Sequence, residues 1–359
     1  MPLVSLEINN LRVYERTQLE PSPGLNLITG ANASGKTTLL EAIHLLGTGR
    51  SYRTAQIEQL RRNGRTSLSV VGRLLNEKGE PTRLGVTHSY EGRRASINGL
   101  EQKRVSGLAQ HLPLQVISPE THYEFQQSSK HRRGVLDWGL FHVEPDFQQL
   151  WARYQRILLQ RNTALKSSSQ IKARHVWDSE LIEVGENLHA QREKLTRELL
   201  PYYQSCCQQL LGETQHVELV LEPGWVGNDG FGESLRQDRE RDRARGFTHS
   251  GPQRADLLIN LNSQSSRGVA SHGQYKILVI ALRLAQIRFL LAHRNRQCCL
   301  LIDDLAAELD HEHRSRLTGL LAGLSVQVFV TATELSMIDR QFWSSHKTFH
   351  VEQGVVSGQ

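Results

Sequence analysis

The octapeptide Gly30-Ala31-Asn32-Ala33-Ser34-Gly35-Lys36-Thr37 constrains this chain more than any other stretch. It satisfies the phosphate-loop pattern G-x-x-x-x-G-K-[ST] at every required position. Its flanks agree: Leu25 to Thr29 reads as a short buried strand. Thr38 to Leu46 reads as a helix with Leu39, Leu40, Ile43 and Leu46 on one face. In such a unit, loop N–H groups in front of a helix N-terminus cradle a triphosphate. Lys36 is expected to reach the β- and γ-phosphates of ATP, and Thr37 to offer its hydroxyl to Mg²⁺. Thr38 completes the expected set of nucleotide contacts.

A second signal lies far downstream. Cys298-Cys299-Leu300-Leu301-Ile302-Asp303-Asp304 is a continuous apolar strand ending in two carboxylates, as at the C-terminal edge of a parallel sheet. Asp303 is expected to hold Mg²⁺, directly or through water, and Asp304 to orient the attacking water. Leu309-Asp310 follows, with a helix from about His311, and Val326 to Thr331 reads as another buried strand. Ser271-His272-Gly273-Gln274 opens a long amphipathic helix with Ile277, Ile280, Ala281, Leu284 and Phe289 as its apolar stripe. Ser271 is a natural N-cap. It is also a candidate for contact with a γ-phosphate, with Gly273 and Gln274 beside it.

The chain has 359 residues, enough for two domains or for one domain carrying an insertion. No apolar run approaches a membrane span, and the first residues alternate like a strand without a signal-peptide core. The four cysteines stand in adjacent pairs, Cys206-Cys207 and Cys298-Cys299, a spacing unlike a zinc finger or a disulfide framework. A reducing, cytoplasmic setting is expected. The net charge of +6 permits a polyanionic partner. Its basic residues are dispersed, and Arg239 to Arg245, interleaved with acids, reads as a solvated helix face.

Residues 3–9 read as a first strand, and 67–75, 82–88 and 94–97 as further strands that, with Asn98-Gly99 as a hairpin turn, suggest a small antiparallel sheet beside the nucleotide core. Gly49 to Arg53 is a basic turn that either touches nucleotide or DNA or only connects elements. From about Lys130 to Leu211 helix formers dominate. Trp151, Tyr154, Leu158 and Leu165 share one face, as do Leu181, Val184, Leu188 and Leu195. Two antiparallel helices over 147–165 and 171–200, joined by a turn at 166–170, would form a helical lobe. The expected division is an ATPase head in two parts, 1–129 and 213–359, with a lobe at 130–212 inserted. Strands at 216–221 and 257–261 reopen the head.

Phosphate loop, S-x-G-Q helix start, acid-ended strand and Leu309-Asp310 step occur in the order of an ABC-type ATPase head. Lys36 and Ser271 lie 235 positions apart, which argues against a transporter subunit, and sustained heptads of SMC-type arms are lacking. The chain resembles the bacterial RecF family, in the SMC-like branch of those ATPases. Specific to that resemblance are Arg132-Arg133 with Leu136-Asp137-Trp138, Phe141-His142, Gly251-Pro252 with Ala255-Asp256, and Glu308-Leu309-Asp310. It implies an α/β P-loop ATPase head with an inserted helical lobe. It also implies an ATP-dependent homodimer at duplex–single-strand DNA junctions and gaps, without a membrane partner. Together with RecR and RecO, such a dimer would help load recombinase. ATPase activity would be weak, DNA-dependent and used as a switch. A metabolic phosphotransferase and an SMC-like structural ATPase are the rival readings.

The chain departs from the family pattern at several points. Ala33 replaces a usual glycine, Gln253 a usual histidine, and Thr331-Ala332 stands where ABC heads carry a switch histidine. Asp304 occupies the usual catalytic glutamate position, and the Q-loop position falls within Gln115 to Glu120. Arg12, Arg50 and Arg53 are candidate nucleotide or DNA contacts.

Overall fold

Alternating patterns such as Leu3–Leu11 and unbroken apolar runs such as Cys299–Ile302 sort the strands into different sheets. The structure is a computed structural model. It describes residues 2–76, 78–166, 177–212, 216–227, 229–305, 309–324, 326–335, 338 and 340–358. In chain order the strands are β1 (Leu3–Leu11), β2 (Tyr14–Leu19), β3 (Leu25–Thr29), β4 (Leu68–Leu75), β5 (Pro81–Ser89), β6 (Gly92–Ile97), β7 (Leu100–Glu101) and β8 (Leu114–Ile117). They continue as β9 (Val217–Glu222), β10 (Asp256–Leu261), β11 (Gln264–Ser265), β12 (Cys299–Ile302), β13 (Gln327–Ala332), β14 (His346–Glu352) and β15 (Val355–Gly358).

Two compact units emerge. The first comprises residues 1–123, 209–212 and 279–359, and the second 124–208 and 213–278. Segment 213–278 therefore groups with the inserted helices, where the sequence suggested a place in the head. Of the turn expected at 166–170, residues 167–170 lie outside the described residues, as do the first residues of the second lobe helix, 171–176, and Glu308.

In the first unit, β2-β1-β4-β5-β6-β7 form an antiparallel sheet, larger than expected because β1 and β2 join it as a hairpin. The Asn98-Gly99 turn is present, both residues having positive φ. The other sheet runs β15-β14-β3-β13-β12-β8, parallel except for β14–β15. The helix Lys36–Thr48 buries Leu39, Leu40, Ile43, Leu45 and Leu46 in the core they share with Leu3, Leu6, Val70, Leu301 and Phe329. Each such side chain contributes about 1.5–3 kcal/mol of burial. The bundle of apolar contacts anchors the loop at the C-terminal end of β3.

The second unit carries the helices Ser129–Val143, Phe147–Lys166 and Asp178–Leu211, the last continuing past the unit's boundary, and a three-stranded sheet β11-β10-β9. The expected stripes are buried, including Tyr154, Leu181, Val184, Leu188 and Leu195, while Trp151 is half-buried. All four cysteines are buried thiols outside any disulfide. Among the described residues, no helix is long and apolar enough to cross a membrane.

Candidate nucleotide site

The parallel register places three strand ends side by side. β13 lies between β3 and β12, with Thr331 opposite Ile28 and Val330 opposite Ile302. The phosphate loop, Thr331 and Asp303 therefore share the C-terminal edge of one sheet, where open α/β sheets bind ligands. Gly30 (φ 145°) and Gly35 (φ 120°) hold backbone conformations that favour glycine. A Cβ on Gly35 would also fall 2.8 Å from the Tyr14 hydroxyl, which donates to the Gly35 carbonyl at 3.1 Å. Ala33 adopts φ 63°, so the departure from glycine does place a side chain on left-handed backbone.

Lys36 folds over the loop, its ammonium donating to the carbonyls of Gly30 (2.7 Å) and Ala31 (2.8 Å). Partial burial lowers its pKa, while Asp304 and Asp303 oppose that shift. Thr37, next along the helix, donates to Asp303 Oδ1 at 3.0 Å. Loop and acid strand, so far apart in sequence, thus meet at one carboxylate.

Asp303 and Asp304 differ in kind. Asp303 is buried, and that burial pushes its pKa up, against donation from Thr331 (2.7 Å), Thr37 (3.0 Å) and the Tyr52 hydroxyl (3.0 Å). Asp304 is exposed; its φ of 51° ends the strand, and its N–H donates to Thr331 Oγ1 at 2.8 Å. Asp303 presents a fixed oxygen beside the Thr37 hydroxyl, a hard donor set that fits Mg²⁺. Asp304 faces solvent, where a water can reach it.

Two of these partners were not legible as site residues. In the sequence, Thr331 stands out only as the residue at a switch-histidine position. Tyr52 sits in the basic turn Gly49 to Arg53, and no local pattern marks it. The same turn tightens around Glu41, which is fully buried on the loop helix. Ser51 donates to Glu41 at 2.6 Å, Arg12 pairs with it at 2.7 Å, and Arg53 lies 3.9 Å from it. Arg12 and Arg53 are thereby bound to a protein carboxylate. Gln115 is buried within β8, donating to Gln286 (3.0 Å) and accepting from Arg283 (3.2 Å).

Ser271 belongs to the second unit. Its hydroxyl accepts from the Gln274 N–H (3.2 Å) while Gln274 Oε1 accepts from the Ser271 N–H (3.0 Å), a reciprocal capping box at the start of the helix His272–Arg294. Gln274, expected on the nucleotide side, is occupied as a cap. Ser271, His272 and Gly273 are exposed or half-exposed, and a Cβ on Gly273 would meet open space. Asp310 likewise caps the helix His311–Ala322, accepting from the His313 N–H at 2.9 Å.

The segments that carried the family resemblance form a buried lock in the second unit. Arg132 makes a bidentate pair with Asp256 (2.7 and 2.8 Å), and Arg133 donates to the Ala255 carbonyl at 2.6 Å. Arg192 holds Asp137 (2.8 and 3.0 Å) and the Pro252 carbonyl (2.7 Å). Gln253 pairs with the Tyr154 hydroxyl.

The chain matches the RecF/RecN/SMC N-terminal domain family over residues 2–357. It is 40% identical over 357 residues to the DNA replication and repair protein RecF of Thioalkalivibrio sulfidiphilus, and 38% identical to that of Vibrio vulnificus. Each alignment covers 99% of both chains. Its fold is similar to that of the recombination mediator protein RecF solved as RecF-ATPrS, with a TM-score of 0.87 at 23% identity, covering 99% of this chain and 97% of that one. It is also similar to the Smc head domain of Pyrococcus furiosus, with a TM-score of 0.62 at 15% identity over 100% and 96% of the two chains. A full-length match at such identity, together with the phosphate loop and the acid strand, places this chain in the RecF family.

Proposed function

We propose that the chain is an ATP-gated DNA-binding protein of recombinational repair and replication. The observation that carries this reading is the 3.0 Å contact between Thr37 of the phosphate loop and Asp303 of the acid strand. The names of its relatives support the DNA repair role. Loop N–H groups and Lys36 would bind the phosphates, with the ammonium exchanging the Gly30 and Ala31 carbonyls for phosphate oxygens. Mg²⁺ held by Thr37 and Asp303 would neutralise charge on the β- and γ-phosphates. Asp304 would position the water that attacks the γ-phosphorus and leaves ADP and phosphate as products. Its side chain is shorter than glutamate, which fits slow turnover.

In this reading two copies meet through ATP. Lys36 of one copy and the exposed Ser271 helix start of the other would contact the same nucleotide, giving an isologous dimer that hydrolysis releases. Gapped DNA with duplex–single-strand junctions is the substrate, and RecR and RecO are the partners that link it to recombinase loading. Gel shift on gapped DNA with and without ATP tests the DNA role, and a metabolic phosphotransferase would show no shift. Light scattering with Mg·ATP tests the dimer. Lys36→Met and Ser271→Arg should each stay monomeric, and their mixture should dimerise through one intact composite site. An ATP-independent dimer, or normal dimerisation of Ser271→Arg, would reduce Ser271 to a helix cap.

A further inference from the structure

The second unit contains an open cleft of about 870 Å³ that no step above uses. Arg241, Arg245 and Arg254 line it, together with Trp225, Phe247 and His249. All three arginines are exposed. Two carboxylates, Glu222 and Asp238, also line the cleft. Asp238 is engaged by the Ser250 hydroxyl and lies 3.8 Å from Arg241, so its charge is partly answered within the protein. Three guanidiniums against two carboxylates leave the lining with one positive charge in excess.

The rings form a ladder. His249 stacks on Phe247 with centroids 4.2 Å apart, and the Arg254 guanidinium lies over Phe247, 5.6 Å from its centroid. His249 is fixed from behind by Asp242, which its Nδ1 meets at 2.8 Å. Arg254 is itself exposed in the cleft lining, so the guanidinium that packs over Phe247 also meets solvent. A guanidinium plane in that position accepts an unpaired base on its open face, as arginines and aromatic rings do in single-strand binders. Arg241 and Arg245 stand on the neighbouring helix Arg239–Arg245 and offer donors to backbone phosphates.

We infer that this cleft binds single-stranded DNA, with a base stacked on Arg254 and flanking phosphates on Arg241 and Arg245. The inference rests on the DNA-binding reading and deepens it by naming where the unpaired strand of a gap is held. A strand fits better than an enclosed small molecule because the rim is open: Val226 on its edge is 88% exposed. A duplex would not offer the unstacked base that the ladder receives.

The test uses the full-length protein with a fluorescein-labelled 12-mer single strand, a duplex of equal length and gapped DNA. The variants are Arg254→Ala, Arg254→Lys and Arg241→Ala/Arg245→Ala, with fluorescent ATP binding as a control for the head. Arg254→Ala should weaken single-strand binding about tenfold, and Arg254→Lys, which keeps the charge without the plane, should not restore it. The double variant should flatten the salt dependence of single-strand binding by about 1.4 in logarithmic slope. ATP and duplex binding should stay at parent level. If the parent binds none of the DNAs, the DNA-binding reading itself fails. If the parent binds single strand and all variants bind it within twofold of the parent, the cleft assignment alone is overturned. Displacement of an acidic peptide, such as polyglutamate, with unchanged strand binding would assign the cleft to a protein segment and also overturn it.

Discussion

The Thr331 hydroxyl donates to Asp303 Oδ1 at 2.7 Å, from the strand that separates the phosphate loop from the acid strand. Thr331 Oγ1 in turn accepts the Asp304 N–H at 2.8 Å, so one side chain aims a buried acid and anchors an exposed one. Thr331→Val keeps the shape and removes both bonds. It should lower stability by about 1–3 kcal/mol and weaken nucleotide binding mainly when Mg²⁺ is present. Thr331→Ser should restore both. Titration of a fluorescent ATP analogue with Mg²⁺ and with EDTA reads the effect, and an equal loss in both conditions would contradict a role on Asp303.

The two acids should part company on mutation. Asp303→Asn should weaken Mg·ATP binding, because it alters the carboxylate that sits against Thr37. Asp304→Asn should preserve binding and slow hydrolysis, because its side chain faces solvent. Lys36→Met should fail earlier, at nucleotide binding. Equilibrium binding and single-turnover hydrolysis separate the three, and parent-like values for both aspartate variants would reject the division of roles.

Ala33 at φ 63° carries backbone strain that glycine would relieve. Ala33→Gly should raise stability by about 1 kcal/mol, a rise in Tm on the order of 2 °C. Thermal melts without nucleotide check this. A fall in Tm would mean that the alanine methyl makes contacts outweighing its strain.

The Arg192–Asp137 pair should matter for folding and leave nucleotide chemistry alone. Arg192 is nearly fully buried, with Asp137 and the Pro252 carbonyl as its acceptors. Removing one partner strands a buried charge, so Asp137→Ala should cost about 3 kcal/mol. Urea midpoints for both single variants and the double give the coupling. Loss of ATP affinity at full stability would instead place the pair in the nucleotide site.

His44 gives the fold a pH dependence. Burial beside Tyr52 lowers its pKa to about 4, against a bond to the Arg50 carbonyl at 2.8 Å. The unfolded chain, with a histidine near 6.5, binds the extra proton between those values. Stability from this group is full above about pH 6.5 and is lost as pH falls toward 4. His44 is half-buried, so the effect is about 1–3 kcal/mol. Melts of the parent and His44→Gln at pH 7.5 and 5 should show the parent losing more, and parallel losses would exclude His44 as the cause.

Local pattern was enough to read the phosphate loop, the acid-ended strand, the helix stripes and the family. Each of these is written in consecutive residues or in a period of 2 or 3.6, the only geometry a sequence displays directly. Asn98-Gly99 and the capping residue Ser271 were legible for the same reason, because a turn or a cap is local chemistry, whereas the cap at Asp310 emerged only in the structure.

Tertiary structure decided what converges. Tyr52 and Asp303 are 251 positions apart, and Thr37 and Asp303 are 266 apart, so no periodicity could announce their bonds. The specific segments around Arg132 and Asp256 gave away the family. Only the fold revealed that they meet as a buried lock, in the same unit as 213–278. Sheet order did the rest, because placing β13 between β3 and β12 turned Thr331 from a missing histidine into the hydroxyl that orients Asp303. Burial then separated two adjacent aspartates that look equivalent in sequence, desolvating one and leaving the other to water.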